Sequence, residues 1–375
     1  MLVVHKYGGT SVGDVERIEN VTNRVAKAKE AGNDVVVVVS AMSGETNKLI
    51  GYAEHFTKEP AKKEMDMLLS SGERVTAALL AISLQSRGYD AVAMTGRGAG
   101  IVTDNTHTYA RIMSIDPTAM QNAIKAGKIV IVAGFQGVNK DGSVTTLGRG
   151  GSDLSAVALA GALKADQCEI YSDVDGIYTT DPRIEPNAKK LDVISYDEML
   201  ELSSLGAKVL QSRSVELAKK LNVQLYAKSS FSDNEGTLIT EENDNMEEVL
   251  VSGIVLDKNQ ARVTLRGVAD RPGIAAEIFT MLAKANINVD MIIQNMGTDG
   301  STNLGFTVPH SDHEKAKKLM ASFDHDMEGM DFDEHVCKVS VVGVGMKSHS
   351  GVAATAFTTM AENNINIQML SLIHI

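Results

Sequence analysis

Apolar residues along the first two-thirds of the chain fall into two alternating rhythms, short unbroken runs and longer stretches with a helical period. The runs Val3–Lys6, Val35–Ser40, Ala91–Met94, Ile129–Ala133, Cys168–Tyr171 and Val223–Ala227 read as strands. Between them the pattern predicts helices near 14–31, 61–87, 116–126, 152–164 and 206–220. The first of these is punctuated at both ends, with Asp14 as N-cap, apolar positions at Val15, Ile18, Val21, Val25 and Ala28, and Gly32 as terminator. Strands alternating with helices predict a three-layer α/β domain with a mainly parallel sheet.

The pattern breaks at Thr240-Glu-Glu-Asn-Asp-Asn-Met-Glu-Glu248, a run of acids and amides. This places a first domain at 1–240 and a solvated linker at 241–250. Beyond it lies an internal repeat. Residues 273–288 align without gaps on 351–366, and Arg262–Val268 matches Lys338–Val344. Each copy reads as strand, helix, strand, and the first continues through a strand at Thr302–Val308 and a helix at Ser311–Phe323 to complete a βαββαβ module. The expected modules span 251–335 and 336–375. The second is expected to be truncated after its second strand, leaving an unpaired edge, with a strand near Val251–Val255 joining it.

Composition adds exclusions. At 375 residues the chain is too long for one typical core. A formal net charge of −12 without tryptophan disfavours a nucleic-acid groove, so an anionic ligand would need local lysine, arginine, backbone amides or a metal. The apolar runs are of strand length, which predicts neither membrane span nor export signal and points to the cytoplasm. Cys168 and Cys337 lie far apart beside strand-like segments and read as reduced, buried thiols.

Candidate chemistry begins at the N-terminus. Strand Val3–Lys6 runs into Tyr7, Gly8, Gly9, Thr10 and Ser11. With positive φ at the glycines, this would be a phosphate cradle with Lys6 as its point charge, though a plain strand-to-helix turn fits equally. Leu147-Gly-Arg-Gly-Gly-Ser-Asp153 opens a helix whose N-terminus would attract negative charge, with Arg149 free to fork onto a carboxylate. The plainer alternative is Ser152 or Asp153 as an ordinary N-cap. Tyr171-Ser-Asp-Val-Asp-Gly-Ile-Tyr-Thr-Thr-Asp-Pro-Arg183 mixes hydroxyls, acids, an aromatic and an arginine, a surface suited to ribose and base, and lacks the ligand spacing of a calcium loop. Lys208, at a predicted helix start, reads by itself as an exposed surface lysine. No P-loop, complete dinucleotide fingerprint or nucleophile–base motif is present, and His310-Ser-Asp-His313 reads as a solvated helix start.

Lys6-Tyr-Gly-Gly-Thr-Ser11, Val39-Ser-Ala-Met42, Ser71-Gly-Glu73, Gly148-Arg-Gly-Gly-Ser-Asp153, Ser172-Asp-Val-Asp-Gly-Ile-Tyr178, Asp181-Pro-Arg183 and Gly206-Ala-Lys208 occur in the order and context of the aspartokinase family. The resemblance covers essentially the whole chain. It implies an amino-acid-kinase domain followed by two ACT domains, and transfer of the γ-phosphoryl of ATP, with Mg²⁺, to the side-chain carboxylate of L-aspartate. That is the first step toward lysine, threonine and methionine.

By the same resemblance, Lys6 and Lys208 clamp the phosphates and Asp153 orients the lysines. Tyr7, Gly8, Gly9, Ser11, Ser172, Asp173, Tyr178, Asp181 and Arg183 hold ATP, and Mg²⁺ is carried by phosphate oxygens rather than by protein ligands. Arg149 takes the α-carboxylate of aspartate and Glu73 its ammonium, with Ser40, Thr46, Gly151 and Ser152 lining the pocket. A regulatory lysine or threonine sits between ACT domains of a homodimer or higher oligomer, near Asp270, Gly273, Ala275, Asn288, Gln294, Asn295, Asn364 and Ile365. The rivals are a same-fold kinase acting on glutamate, acetylglutamate or a nucleotide, and a catalytically idle amino-acid sensor.

Overall fold

The computed structural model describes residues 1–207, 209–242, 251–269, 271–296, 301–323, 327–343 and 351–371. Lys208, Asp270 and residues 243–250 of the expected linker lie outside the described residues. The chain divides into two compact units, Met1–Gly253 and Ile254–Ile375.

In the first unit the main elements are β1 (Leu2–Tyr7), α1 (Val15–Glu30), β2 (Asp34–Val39), α2 (Glu45–Phe56), α3 (Lys62–Leu69), α4 (Ser71–Ser86), β3 (Ala91–Met94), α5 (Thr118–Lys125), β4 (Ile129–Ala133), α6 (Gly151–Leu163), β5 (Gln167–Ser172), β6 (Val193–Ser195), α7 (Tyr196–Ser204), α8 (Ser212–Leu221), β7 (Leu225–Ser229) and β8 (Thr237–Thr240). The strands form an eight-stranded sheet in the order β6-β8-β7-β5-β1-β2-β4-β3. All neighbours are parallel except β7 and β8.

The valines from Val35 to Val39 are all buried, as a mid-sheet strand covered on both faces requires. Val3, Val35 and Val37 pack with Ile18, Val21 and Val25 of α1 and Leu80 and Leu84 of α4. On the other face lies α6, against β1, β2 and β5. It is apolar nearly all round and buried from Gly151 to Ala160. The run Lys62–Ser86 is long and apolar enough to cross a membrane, but half of its apolar window is buried within the protein.

Several boundaries differ from the sequence reading. The helix expected over 61–87 breaks at Ser70, where the Ser70 and Ser71 hydroxyls donate to the carbonyls of Met67 and Leu68. The helix expected from 206 starts at Ser212, after Gly206 turns the chain at φ +118°. Two helices, α2 and α7, and a small sheet of Ile112–Ile115, Ile101–Thr103, Gln136–Val138 and Val144–Thr146 were not anticipated. Cys168 is buried, but Cys337 is exposed.

Strand β9 (Gly253–Ala269) leads into the second unit and is followed by α9 (Ile274–Lys284), β10 (Ile292–Met296), β11 (Ser301–Val308), α10 (His313–Ala321), β12 (Gly329–Val342) and α11 (Val352–Glu362). The sheet order is β10-β11-β9-β12. Ile274, Ile278 and Leu282 of α9 and Ala316 and Met320 of α10 share a core with Val263, Leu265, Phe306 and Val308. Val251–Val255 forms no separate strand; from Gly253 onward it belongs to β9. The last strand of the first repeat and the leading strand of the second are one continuous strand, β12. Residues 363–371 join no sheet among the described residues, so the second strand expected in the second copy is not formed there. His313 is buried rather than solvated, while His310 is exposed.

Candidate active site

The site is built at the carboxyl ends of the central parallel strands, where an open α/β sheet receives ligands. Side chains alternate along β1, so His5 and Tyr7 share one face and Lys6 takes the other, toward α6. Lys6 Nζ lies 2.6 Å from Asp153 Oδ1 in the first turn of α6, and both side chains are about nine-tenths buried, 10% and 11% exposed. The N-cap of α6 is Gly150 at φ +71°, with no side-chain cap bond. Ser152 and Asp153 therefore stand inside the first turn instead of capping it. A helix N-terminus without a side-chain cap is suited to an anion. Gly150 is required sterically as well, since a Cβ there would lie 2.0 Å from Gln211 Cγ.

The glycine cradle forms differently from the expectation. Gly8 is extended, at φ −71° and ψ 166°, and neither Gly8 nor Gly9 has positive φ. The value of Gly9 is space, since a Cβ there would stand 3.0 Å from Ala41 O, whereas one on Gly8 would make only ordinary contact, 3.5 Å from Lys6 Nζ. Gly8 N–H already donates to Tyr171 O at 3.0 Å, so that amide is committed within the fold. A short 3-10 turn, Gly9–Val12, separates the cradle from α1. Tyr7 is fully buried with its ring stacked on Tyr171 at 4.8 Å. Ser11 is also buried and bonded to Ser230 Oγ at 2.5 Å, so the side chains of Tyr7 and Ser11 serve the core.

Glu73, in the first turn of α4, points at the loop after β2. Its Oε1 accepts from Ala41 N–H at 3.1 Å, while its buried Oε2 has no partner among the described residues. Burial pushes its carboxyl up to about 7, against the backbone hydrogen bonds that lower it. Ser40, beside Ala41, donates its N–H to Tyr7 O at 3.1 Å, which places Ser40 and Glu73 at the mouth of β1 and β2. A Cβ on Gly134, after β4, would stand 3.0 Å from Ser152, and one on Gly151 would stand 2.8 Å from Phe135. Thr46 is half-buried on α2, and Arg149 is exposed without an ion-pair partner among the described residues.

The segment after β5 holds the residues expected around a nucleotide. Ser172 Oγ accepts from Val174 N–H at 3.3 Å, and Asp173 is exposed. Tyr178 OH donates to Asp175 at 2.7 Å; this hydrogen bond is the largest influence lowering the Asp175 carboxyl. Asp175 also accepts from Asn234 at 2.8 Å. Arg183 pairs with Asp181 at 2.7 Å, an exposed contact. Sequence reasoning missed Asp175, Ser230 and Gln211, none of which sits in a quoted motif except Asp175. It also missed Glu169, on the opposite sheet face from Lys6, which accepts from Tyr171 OH at 2.8 Å and lies 3.0 Å from His5 Nε2 and 2.5 Å from Lys228 Nζ.

Residues 1–228 match the amino acid kinase family, and residues 263–322 and 339–372 match an ACT domain. An aspartokinase from Helicobacter pylori is 56% identical over 375 residues, covering 99% of this chain and 93% of that one. The chain belongs to the aspartokinase family. It is an aspartate kinase that uses a nucleotide and carries ACT domains. Among solved aspartokinases, E. coli aspartokinase III in complex with aspartate and ADP (R-state) superposes with a TM-score of 0.79 at 27% identity, covering 98% of this chain and 93% of that one. The same protein in complex with lysine and aspartate (T-state) superposes with a TM-score of 0.80 at 26% identity, covering 99% and 93%.

Within the second unit, Gly273 starts α9 at φ +101° without a side-chain cap, and Ala275 is half-buried in its first turn. Asn288, Gln294 and Asn295 are exposed around β10, as are Asn364 and Ile365 after α11.

Proposed function

We propose that the chain transfers the γ-phosphoryl of ATP to the side-chain carboxylate of L-aspartate, giving 4-phospho-L-aspartate and ADP. The observation that carries this reading is the buried Lys6–Asp153 pair beside an α6 N-terminus without a side-chain cap. A carboxylate is already a nucleophile, so the protein needs to position it and neutralise charge on the moving phosphoryl. One carboxylate oxygen forms a bond to the γ-phosphorus as the bond to the ADP oxygen breaks.

In this reading Lys6 and Lys208 clamp the phosphates, Asp153 holds Lys6 in place, and Gly8 and Gly9 form the turn beside them, with Gly9 supplying an amide and room. Arg149 forks onto the α-carboxylate of aspartate, and the unpartnered Glu73 Oε2 receives its ammonium. Ser40, Thr46, Gly151 and Ser152 line the pocket. Ser172, Asp173, Tyr178, Asp181 and Arg183 hold the nucleotide. Among the described residues no group of three or more His, Cys, Asp or Glu side chains could hold a metal ion. In this reading Mg²⁺ would be carried on the phosphate oxygens, where it would neutralise their charge. Lysine or threonine would bind the ACT region near Asp270, Gly273, Ala275, Asn288, Gln294, Asn295, Asn364 and Ile365, between subunits of a homodimer or larger oligomer. The lysine named with E. coli aspartokinase III supports that choice. The setting is the cytoplasm, and the product feeds lysine, threonine and methionine synthesis.

The test is ATP-dependent hydroxamate formation with aspartate, glutamate and acetylglutamate as acceptors. Turnover confined to aspartate supports the reading. Preference for another acceptor, or no turnover, would replace it with one of the rival kinases or with an idle sensor.

A further inference from the structure

Asp66, on α3, is fully buried at 0% exposure, and none of the roles above uses it. Its carboxylate meets His107 Nδ1 at 2.6 Å, accepts from Thr108 N–H at 3.0 Å, and accepts from the Thr146 hydroxyl at 2.5 Å. No lysine or arginine pairs with it among the described residues. A carboxylate that deep is tolerated only when donors surround it, so all three partners are held firmly in return.

Those partners flank the loop that carries Arg149. Thr146 ends the strand leading directly into Leu147, Gly148 and Arg149. Thr108 and Tyr109 pack onto that loop, since a Cβ on Gly148 would lie 2.5 Å from Tyr109 Cδ2 and 3.4 Å from Thr108 O. Thr108 is itself held at φ +71°, a conformation that persists in a threonine only with outside support. Ala110 N–H closes the unit by donating to Thr146 O at 2.9 Å. From the other side, Arg213 donates to Leu147 O at 2.7 Å and Ala110 O at 3.2 Å, with its guanidinium 4.6 Å from the Tyr109 ring centre. Meanwhile α3 passes through Ser70 into α4, which carries Glu73.

We propose that Asp66 is a positioning residue for the aspartate subsite, tying the Gly148–Gly150 loop that carries Arg149 to the helix junction that carries Glu73. The inference rests on the roles given above to Arg149 and Glu73. A small displacement of one binding arm relative to the other would weaken substrate capture without touching the phosphate clamp.

The experiment is steady-state kinetics of the full chain as Asp66→Asn, His107→Gln, Arg149→Ala and the two double variants with Arg149→Ala. Asp66→Asn should raise the aspartate KM about tenfold and leave the ATP KM and the saturated kcat within about twofold. His107→Gln should give a smaller rise in the same direction. Combined with Arg149→Ala, neither should raise the aspartate KM further, because the arm they position is gone. A general structural defect would instead move the ATP KM or add fully to Arg149→Ala, and either result overturns the proposal. If Asp66→Asn does not fold, His107→Gln and its double variant carry the same test. If Arg149→Ala raises the KM while Asp66→Asn and His107→Gln do not, this inference alone falls; if Arg149→Ala leaves it unchanged, the substrate assignment falls with it.

Discussion

Lys6 Nζ and Asp153 Oδ1 stand 2.6 Å apart, joining the third layer of the fold to the strand that ends in the glycine cradle. A carboxylate accompanies this buried ammonium, and the pair lies beside the α6 N-terminus rather than in the middle of the core. The arrangement keeps a cation fixed and largely dry where phosphate charge would develop.

Lys6→Ala should therefore lower kcat by about a hundredfold or more, with a much smaller change in the aspartate KM. Initial-rate kinetics at saturating ATP provide the check. Near-normal turnover would remove Lys6 from the phosphate clamp.

Arg149→Ala should raise the aspartate KM strongly, since a forked contact with the α-carboxylate acts in ground and transition states alike. The same titration with ATP varied should show little change, which separates loss of substrate binding from loss of the nucleotide site.

Glu73 gives a pH dependence with a definite sign. Its carboxyl titrates at about 7 in the folded chain against an ordinary 4.5, because burial disfavours the charge. The folded state thus binds the proton more tightly, and this group's contribution to stability falls as pH rises from 4.5 toward 7. Glu73→Gln should flatten that part of the Tm-against-pH curve. Aspartate affinity in the parent chain should improve as pH rises through about 7, when the carboxylate needed by the ammonium forms. An unchanged curve in the variant would show that Glu73 is not the group responsible.

Glu169 should behave in the opposite sense. Burial alone would raise its carboxyl, but the hydrogen bond and charge of His5, with those of Lys228, outweigh it and hold the group down at about 2. Its stabilising contribution is present above 4.5 and is lost as pH falls toward 2. Glu169→Gln should cost about 2–3 kcal/mol near neutral pH, measured by denaturant titration, because Lys228 and His5 lose their carboxylate partner. It should leave kcat nearly unchanged, since its side chain lies on the sheet face opposite Lys6.

How much of this was legible in the sequence depends on the kind of signal. Ala91–Met94 and Ile129–Ala133 were read with their observed ends, because unbroken apolar runs flanked by turns mark buried parallel strands. The α7 start was missed although it carries a legible capping box, in which Ser195 Oγ accepts from Glu198 N–H and Glu198 accepts from Ser195 N–H. Strands of three or four residues, such as Gln136–Val138, are too short to show a period. Lys6 and Asp153 could be named from motifs, but their contact spans the fold and no local pattern encodes it. Asp66 left no trace, as an acid in a short helix that also carries Lys62, Lys63 and Glu64 looks like any surface position until its three donors are assembled from distant segments.

The central claim is that the aspartate side-chain carboxylate attacks the γ-phosphoryl group. The most direct measurement uses aspartate labelled with ¹⁸O in that carboxylate, incubated with ATP and hydroxylamine, and reads the released phosphate by ³¹P NMR. Hydroxylamine attacks the acyl carbon, so the bridging oxygen leaves with the phosphate. The account predicts inorganic phosphate carrying a single ¹⁸O; unlabelled phosphate released at the same rate would mean that water or another group is the acceptor, and would contradict it.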